Sequence, residues 1–201
     1  MKRDPDATRA AILGAAERIF LSRGYGTASL SDIAEAASVT KSLIHHHFGS
    51  KKGLWEAVKE RRFIPYAERQ LEMMQGAPAS AELVRTSFEA FFEYLRDNPE
   101  LVRILAWVFL EGQDEEANAP LDKRLMTAAA EKFREGQEAG TIRKDLDPRF
   151  VLFVFVGLVQ HWFQDQAHFR RSFDIPDGAD LNDAYHQAAL DIFLRGVRAK
   201  P

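Results

Sequence analysis

No cysteine occurs in the 201 residues, which excludes disulfides, thiolate metal sites and thiol redox sensing together. Long apolar runs are missing too. The longest, Phe150 to Val159, is ten residues, against the roughly 20 that span a bilayer. The opening MKRDPDATRA is polar and lacks the apolar segment of a secretory signal, so a cytoplasmic protein is the expectation. Absent as well are a glycine-rich phosphate loop, a G-x-S-x-G elbow and a His-Glu-x-x-His pair, and no catalytic constellation stands out. Convincing period-two alternation is lacking, and strands with it.

What is present is the material of a globular fold: 46% hydrophobic and 28% charged residues, enough to bury a core in one large or two small domains. The net charge of −3 argues at first against a nucleic-acid partner, but it averages two unlike parts. Residues 1–62 carry 11 Lys/Arg against 7 Asp/Glu, and residues 63–201 carry 16 against 23. A basic head on an acidic remainder favours a localized DNA contact over nonspecific wrapping.

Apolar residues recur at three- and four-residue spacing nearly throughout, predicting an all-α chain of about nine helices. The first runs from about Asp6 to Arg23 and stops at Gly24. A long helix from Lys51 to about Gln75 contains Pro65, which removes a backbone hydrogen bond and predicts a kink. Further helices are expected at Ser80–Asp97, Pro99–Gly112, Ala119–Ala139, Pro148–Ala167 and Asp180–Ala199, with Asn98-Pro99 and Asp147-Pro148 as cap-plus-proline starts. Gln113 to Asn118 reads as a solvated acidic loop, and Phe169 to Ala179 as a connector. The helix from Pro148 is apolar on nearly all faces, which suits core on one side and a second subunit on the other.

The densest information lies in Ser29 to Lys51, SLSDIAEAASVTKSLIHHHFGSK. Ser29 with Asp32 is a Ser-x-x-acid start, predicting a helix from near Leu30. Thr40 caps a second helix ending near His47, and Ser50 caps a third. Ile33, Ala34 and Ala37 on the first helix and Leu43, Ile44 and Phe48 on the second supply inner and terminal contacts, and Lys41, Ser42, His45 and His46 are left largely outward. Lys51 and Lys52 open a helix at the end that prefers acids, which suggests a nearby anion such as phosphate. This is the layout of a helix-turn-helix. The residues expected on DNA are Ser29, Ser31, Thr40, Lys41, Ser42, Leu43, His45, His46, His47 and Lys51, with Lys41 and Ser42 near base edges and imidazoles near phosphates. His46 and His47 have an alternative role, packing against the domain core. Three consecutive helical histidines point about 100° apart and do not converge on one ion, so no metal is expected.

These residues carry a resemblance. Ile12, Ala16, Phe20, Gly24, Gly26, Ser29, Ile33-Ala34, Val39, His47-Phe48, Ser50-Lys51 and Leu54 fall in order as in the DNA-binding domain of TetR-type bacterial regulators, which the first 60 or so residues resemble. Ser38 departs from the pattern, standing where the turn usually has glycine. Ile44 stands where leucine is commoner, and His45 where the family usually has a phosphate-contacting tyrosine. The resemblance implies a helix-turn-helix domain over residues 1–50 and a helical ligand-binding and dimerisation domain over 51–201. It further implies a homodimer through the last two helices, a pseudo-palindromic operator on double-stranded DNA, and a small-molecule effector that releases a repressor. No cofactor is expected.

In the acidic part, Phe88, Phe91, Phe92, Trp107, Phe109, Phe153, Phe155, Trp162 and Phe163 interleave with Arg103, Gln160 and His161. This is either plain core or an apolar effector cavity with a few polar anchors. For the cavity, the candidate lining is Phe88, Phe92, Arg103, Trp107, Gln160, His161 and Trp162. A small all-helical ligand-binding or metal-dependent enzyme is the alternative reading, resting on the histidines and the aromatics.

Overall fold

A computed structural model describes residues 4–110, 120–176 and 180–199. It contains nine helices among them: α1 Pro5–Arg23, α2 Leu30–Ala36, α3 Lys41–Phe48, α4 Lys51–Met74, α5 Ala81–Asp97, α6 Pro99–Leu110, α7 Pro120–Glu138, α8 Pro148–Ser172 and α9 Asn182–Val197. Residues 113–118, expected as an acidic loop, and residues 177–179 of the expected connector lie outside the described residues. The chain forms two compact units, one of residues 1–65 with 103–117, the other of 66–102 with 118–201. The division between these units falls at Pro65, within α4, which continues through that proline as one helix.

The first unit is held by a core of Ile12, Ala16, Phe20, Ile33, Ile44, Leu54, Trp55 and Val58, joined by Ile104 of α6. The Trp55 ring meets Phe20 edge-on at 5.1 Å, the geometry aromatic quadrupoles favour. Glu17 is buried in this unit and accepts from Arg62 Nε at 2.5 Å, so its charge is compensated where water is excluded.

In the second unit, α8 supplies an inner seam of Val151, Leu152, Phe155, Val159 and Trp162. It packs against Phe88 and Phe92 of α5 and Leu190 and Phe193 of α9, all buried. Ile142 and Arg198 form an isolated antiparallel bridge that ties the α7–α8 turn to the end of α9. Asp147 caps α8 by accepting from the Arg149 amide at 2.8 Å. The Arg149 guanidinium, and then that amide, hold the Asp147 carboxyl down to about 2.

Two expectations about α8 need correction. The helix runs to Ser172, not Ala167, because Phe169 stacks edge-on with Trp162 at 5.6 Å and Phe173 against Phe169 at 4.8 Å. These contacts extend the apolar seam through residues assigned above to a connector. Phe153 belongs to no core: it is 75% exposed, beside Phe150 at 70% and Val154 at 52%.

Candidate nucleic-acid interface

Side-chain caps mark the starts of the helices at this site. Ser29 Oγ accepts from the Asp32 amide at 3.1 Å, Thr40 Oγ1 from Leu43 at 3.3 Å, and Ser50 Oγ from Gly53 at 3.0 Å. Between α2 and α3 the backbone turns through Ser38 at φ 53°, the left-handed region that glycine enters without a Cβ penalty. Ser38→Gly is therefore expected to raise stability by some tenths to ~1 kcal/mol, since relieved strain competes with a looser unfolded chain. The check is a urea titration, with operator preference unaltered; an unmoved or lower midpoint would contradict it.

With the turn set, α3 rests on Ile44, which is fully buried, and presents Lys41, Ser42, His45 and His46 to solvent. Ser31 and Thr40 are also exposed, while Ser29, Leu43 and His47 are half-buried. His47 has its ring edge-on to His46 at 5.4 Å and tilted to Phe48 at 6.1 Å, so it has packing partners within α3. Lys51 is half-buried as well. Its ammonium donates to the Gly26 carbonyl at 3.2 Å and lies 4.4 Å from the Tyr25 ring centre, which fixes the start of α4 against the α1–α2 loop.

His45 has a defined tautomer. Its Nδ1 lies 2.8 Å from the Gly49 carbonyl oxygen, and a carbonyl only accepts, so Nδ1 carries the proton. In the neutral ring Nε2 is then an acceptor. A phosphate can take a hydrogen bond from that nitrogen only when the ring is protonated, whereas a base amino group can donate to the neutral form.

The α3–α4 junction is sterically tight. A Cβ on Gly53 would lie 2.2 Å from the Phe48 carbonyl oxygen, a backbone atom that cannot swing aside. Gly53→Ala is expected to cost about 1–3 kcal/mol by overpacking and to weaken operator binding by displacing the end of α3. Thermal melting with a DNA titration measures both; an unchanged midpoint would mean that the junction relaxes freely.

Residues 12–58 match the profile of bacterial regulatory proteins of the tetR family, and residues 88–190 that of the tetracyclin repressor-like C-terminal domain. The chain belongs to the TetR family. It is a DNA-binding transcriptional regulator of that family, built from a helix-turn-helix unit and a helical C-terminal unit. It is similar to the transcriptional repressor SCO4008 of Streptomyces coelicolor, 29% identical over 159 residues covering 78% of each chain. It is also similar to the repressor NicS of Pseudomonas putida, 24% identical over 202 residues covering 96% of this chain and 93% of that one. The solved structure of AibR, in complex with isovaleryl coenzyme A and operator DNA, aligns with a TM-score of 0.70 over 92% of this chain and 97% of that one, at 24% identity.

Within this TetR-family chain the proposed effector lining does not gather as the sequence suggested. Phe88 and Phe92 are buried with the His186 ring 5.6 and 4.9 Å away. Trp162 stacks on Tyr185 at 4.1 Å and donates to Asn182 at 3.0 Å. Gln160 is half-buried, but His161 is exposed: counted along α8 it falls on the outer seam of Phe150, Val154 and Gly157, not the inner one. Arg103 is exposed, and Trp107 packs on the core of the DNA-binding unit. Gln70, absent from that lining, is 4% exposed. Its signal was its place among Phe63, Ala67 and Met74 at three- and four-residue spacing.

Proposed function

We propose that the chain is a homodimeric, effector-released repressor whose operator contacts come from Ser31, Thr40, Lys41, Ser42, His45 and His46, with Ser29, Leu43, His47 and Lys51 at the margin. The observation that carries this is the capped α2–α3 pair, which exposes one polar and basic helix face on the more basic part of the chain. Such a helix fits the major groove, and a dimer presents two of them to half-sites separated by about 34–36 Å or a multiple. Repression is supported by the similarity to SCO4008 and NicS, both described as repressors. Shorter similarity extends to the activator FasR of Mycolicibacterium smegmatis, 29% identical over half of this chain. The reading is of a cytoplasmic, non-enzymatic protein, and no described helix is long and apolar enough to cross a membrane.

The second copy has an available surface on α8 and α9. Phe150, Phe153 and Val154 on α8 and Ile192 on α9 are exposed, and Ala188 and Gly196 continue the α9 stripe. Patches of this kind on a helical unit mark association.

Selection of bound duplexes from a random library tests the reading. The recovered motif is expected to be two-fold symmetric, and Lys41→Ala to change the preferred bases as well as the affinity. Lys51→Ala, by contrast, is expected to weaken all sequences alike and to flatten the salt slope by roughly one unit. An asymmetric motif, or equal losses on every duplex for both variants, would overturn the assignment of roles.

A further inference from the structure

The second unit contains a buried polar group that its own packing does not use. Among the described residues, the buried polar or charged side chains are Thr8, Glu17 and Gln70, and Gln70 is the one belonging to this unit. Its Nε2 is inaccessible and meets no acceptor. Desolvating an amide N–H without a partner costs free energy that an apolar residue of the same shape would not. Packing alone gives no reason for glutamine here.

The surroundings show what would approach it. One turn earlier on α4, Tyr66 lies 5.3 Å from the Phe91 ring and 4.8 Å from Tyr94, stacked. Burial pushes the Tyr66 hydroxyl well above the usual phenol range. Phe88, one turn before Phe91 and Phe92 on α5, is fully buried in the same unit. Phe88 in turn meets Phe155 at 5.4 Å and His186 at 5.6 Å. The interior of this unit is rich in aromatic rings, and no lysine, arginine or carboxylate is buried in it among the described residues.

We infer that Gln70 is the polar anchor of the effector site, donating from Nε2 to the carbonyl oxygen of a neutral, largely apolar effector such as an ester or amide. This rests on the effector-released reading above and specifies its ligand. Neutrality follows from the lack of a buried lysine or arginine: a carboxylate brought here would lose its hydration with neither of these cations opposite to replace it. The carbonyl follows from the free group being a donor.

The test uses the full chain and three probes built on the same eight-carbon chain: methyl octanoate, octanoate and octane. Binding is read by calorimetric titration and by the shift in melting temperature. The ester is expected to bind about tenfold tighter than the alkane, as one hydrogen bond to an otherwise unpaired buried donor allows, and tighter than the carboxylate. Gln70→Met, unbranched and of similar length, is expected to erase the preference for ester over alkane. Gln70→Glu, which replaces the donor with an acceptor, is expected to lose ester binding. Equal binding of ester and alkane, tighter binding of octanoate, no binding of any probe, or an ester preference that survives in Gln70→Met would each overturn the assignment. Operator binding of the wild-type chain is followed in parallel. If operator binding is intact and some other compound releases it, the ligand class fails alone; if no duplex binds, the regulatory reading fails with it.

Discussion

Phe153→Glu is expected to turn the proposed dimer into a folded monomer that no longer holds a two-fold operator. The side chain is 75% exposed on α8, so within one copy the substitution touches little and stability should move by no more than about 0.5 kcal/mol. In a two-fold interface each change is made twice, and both carboxylates would be desolvated among Phe150, Val154 and Ile192. A penalty of several kcal/mol weakens association by about a thousandfold or more. Sedimentation gives the oligomeric state, and a binding isotherm on the selected duplex gives the consequence for DNA. Phe153→Leu, which keeps the apolar surface, should remain dimeric. A dimeric Phe153→Glu protein with full operator affinity would remove the α8–α9 face from the interface.

Gly24→Ala is the second large effect, and here the damage falls on folding. Gly24 ends α1 at φ 79° and ψ 161°, a region open essentially to glycine and costing other residues about 1–3 kcal/mol. A Cβ there would also sit 2.7 Å from two atoms of the Trp107 ring, adding about 1–3 kcal/mol of overpacking. The total, about 2–6 kcal/mol, is a large part of what typically separates a folded domain from its unfolded chain. Trp107→Leu in the same chain separates the two contributions: it removes the clash and leaves the backbone strain, so the double variant should recover part of the loss. Urea midpoints for the four proteins complete the cycle. A Gly24→Ala chain as stable as the parent would contradict both contributions.

The parts that were legible in the sequence are those written in local chemistry. Ser29, Thr40 and Ser50 act on amides three residues away, so their caps can be read without knowing the fold, and the strain at Ser38 needs only the turn that surrounds it. Long-range partners leave no such trace. Trp107 looked like a cavity residue because it lies among the aromatics of the acidic part, yet its neighbour is Gly24, far earlier in the chain. His161 was misplaced for a different reason: α8 is apolar on both seams, so hydrophobic periodicity does not say which one faces inward. Gln70 escaped notice because a single amide in an apolar stripe alters the pattern too little, and its missing partner shows only in three dimensions.

The hydrogen bond from His45 Nδ1 to Gly49 limits how far a recognition code can be transplanted between relatives. Where the family's usual tyrosine offers a hydroxyl that can give or take a hydrogen bond, the neutral His45 ring, with Nδ1 engaged by Gly49, turns a lone pair outward. A graft that keeps Lys41 and Ser42 but puts tyrosine at position 45 therefore adds a donor where the neutral imidazole only accepts, while leaving the caps of the helix in place. Two regulators aligned position by position can in this way differ in what they accept at the same point on the duplex: one takes either a donor or an acceptor, the other a donor alone.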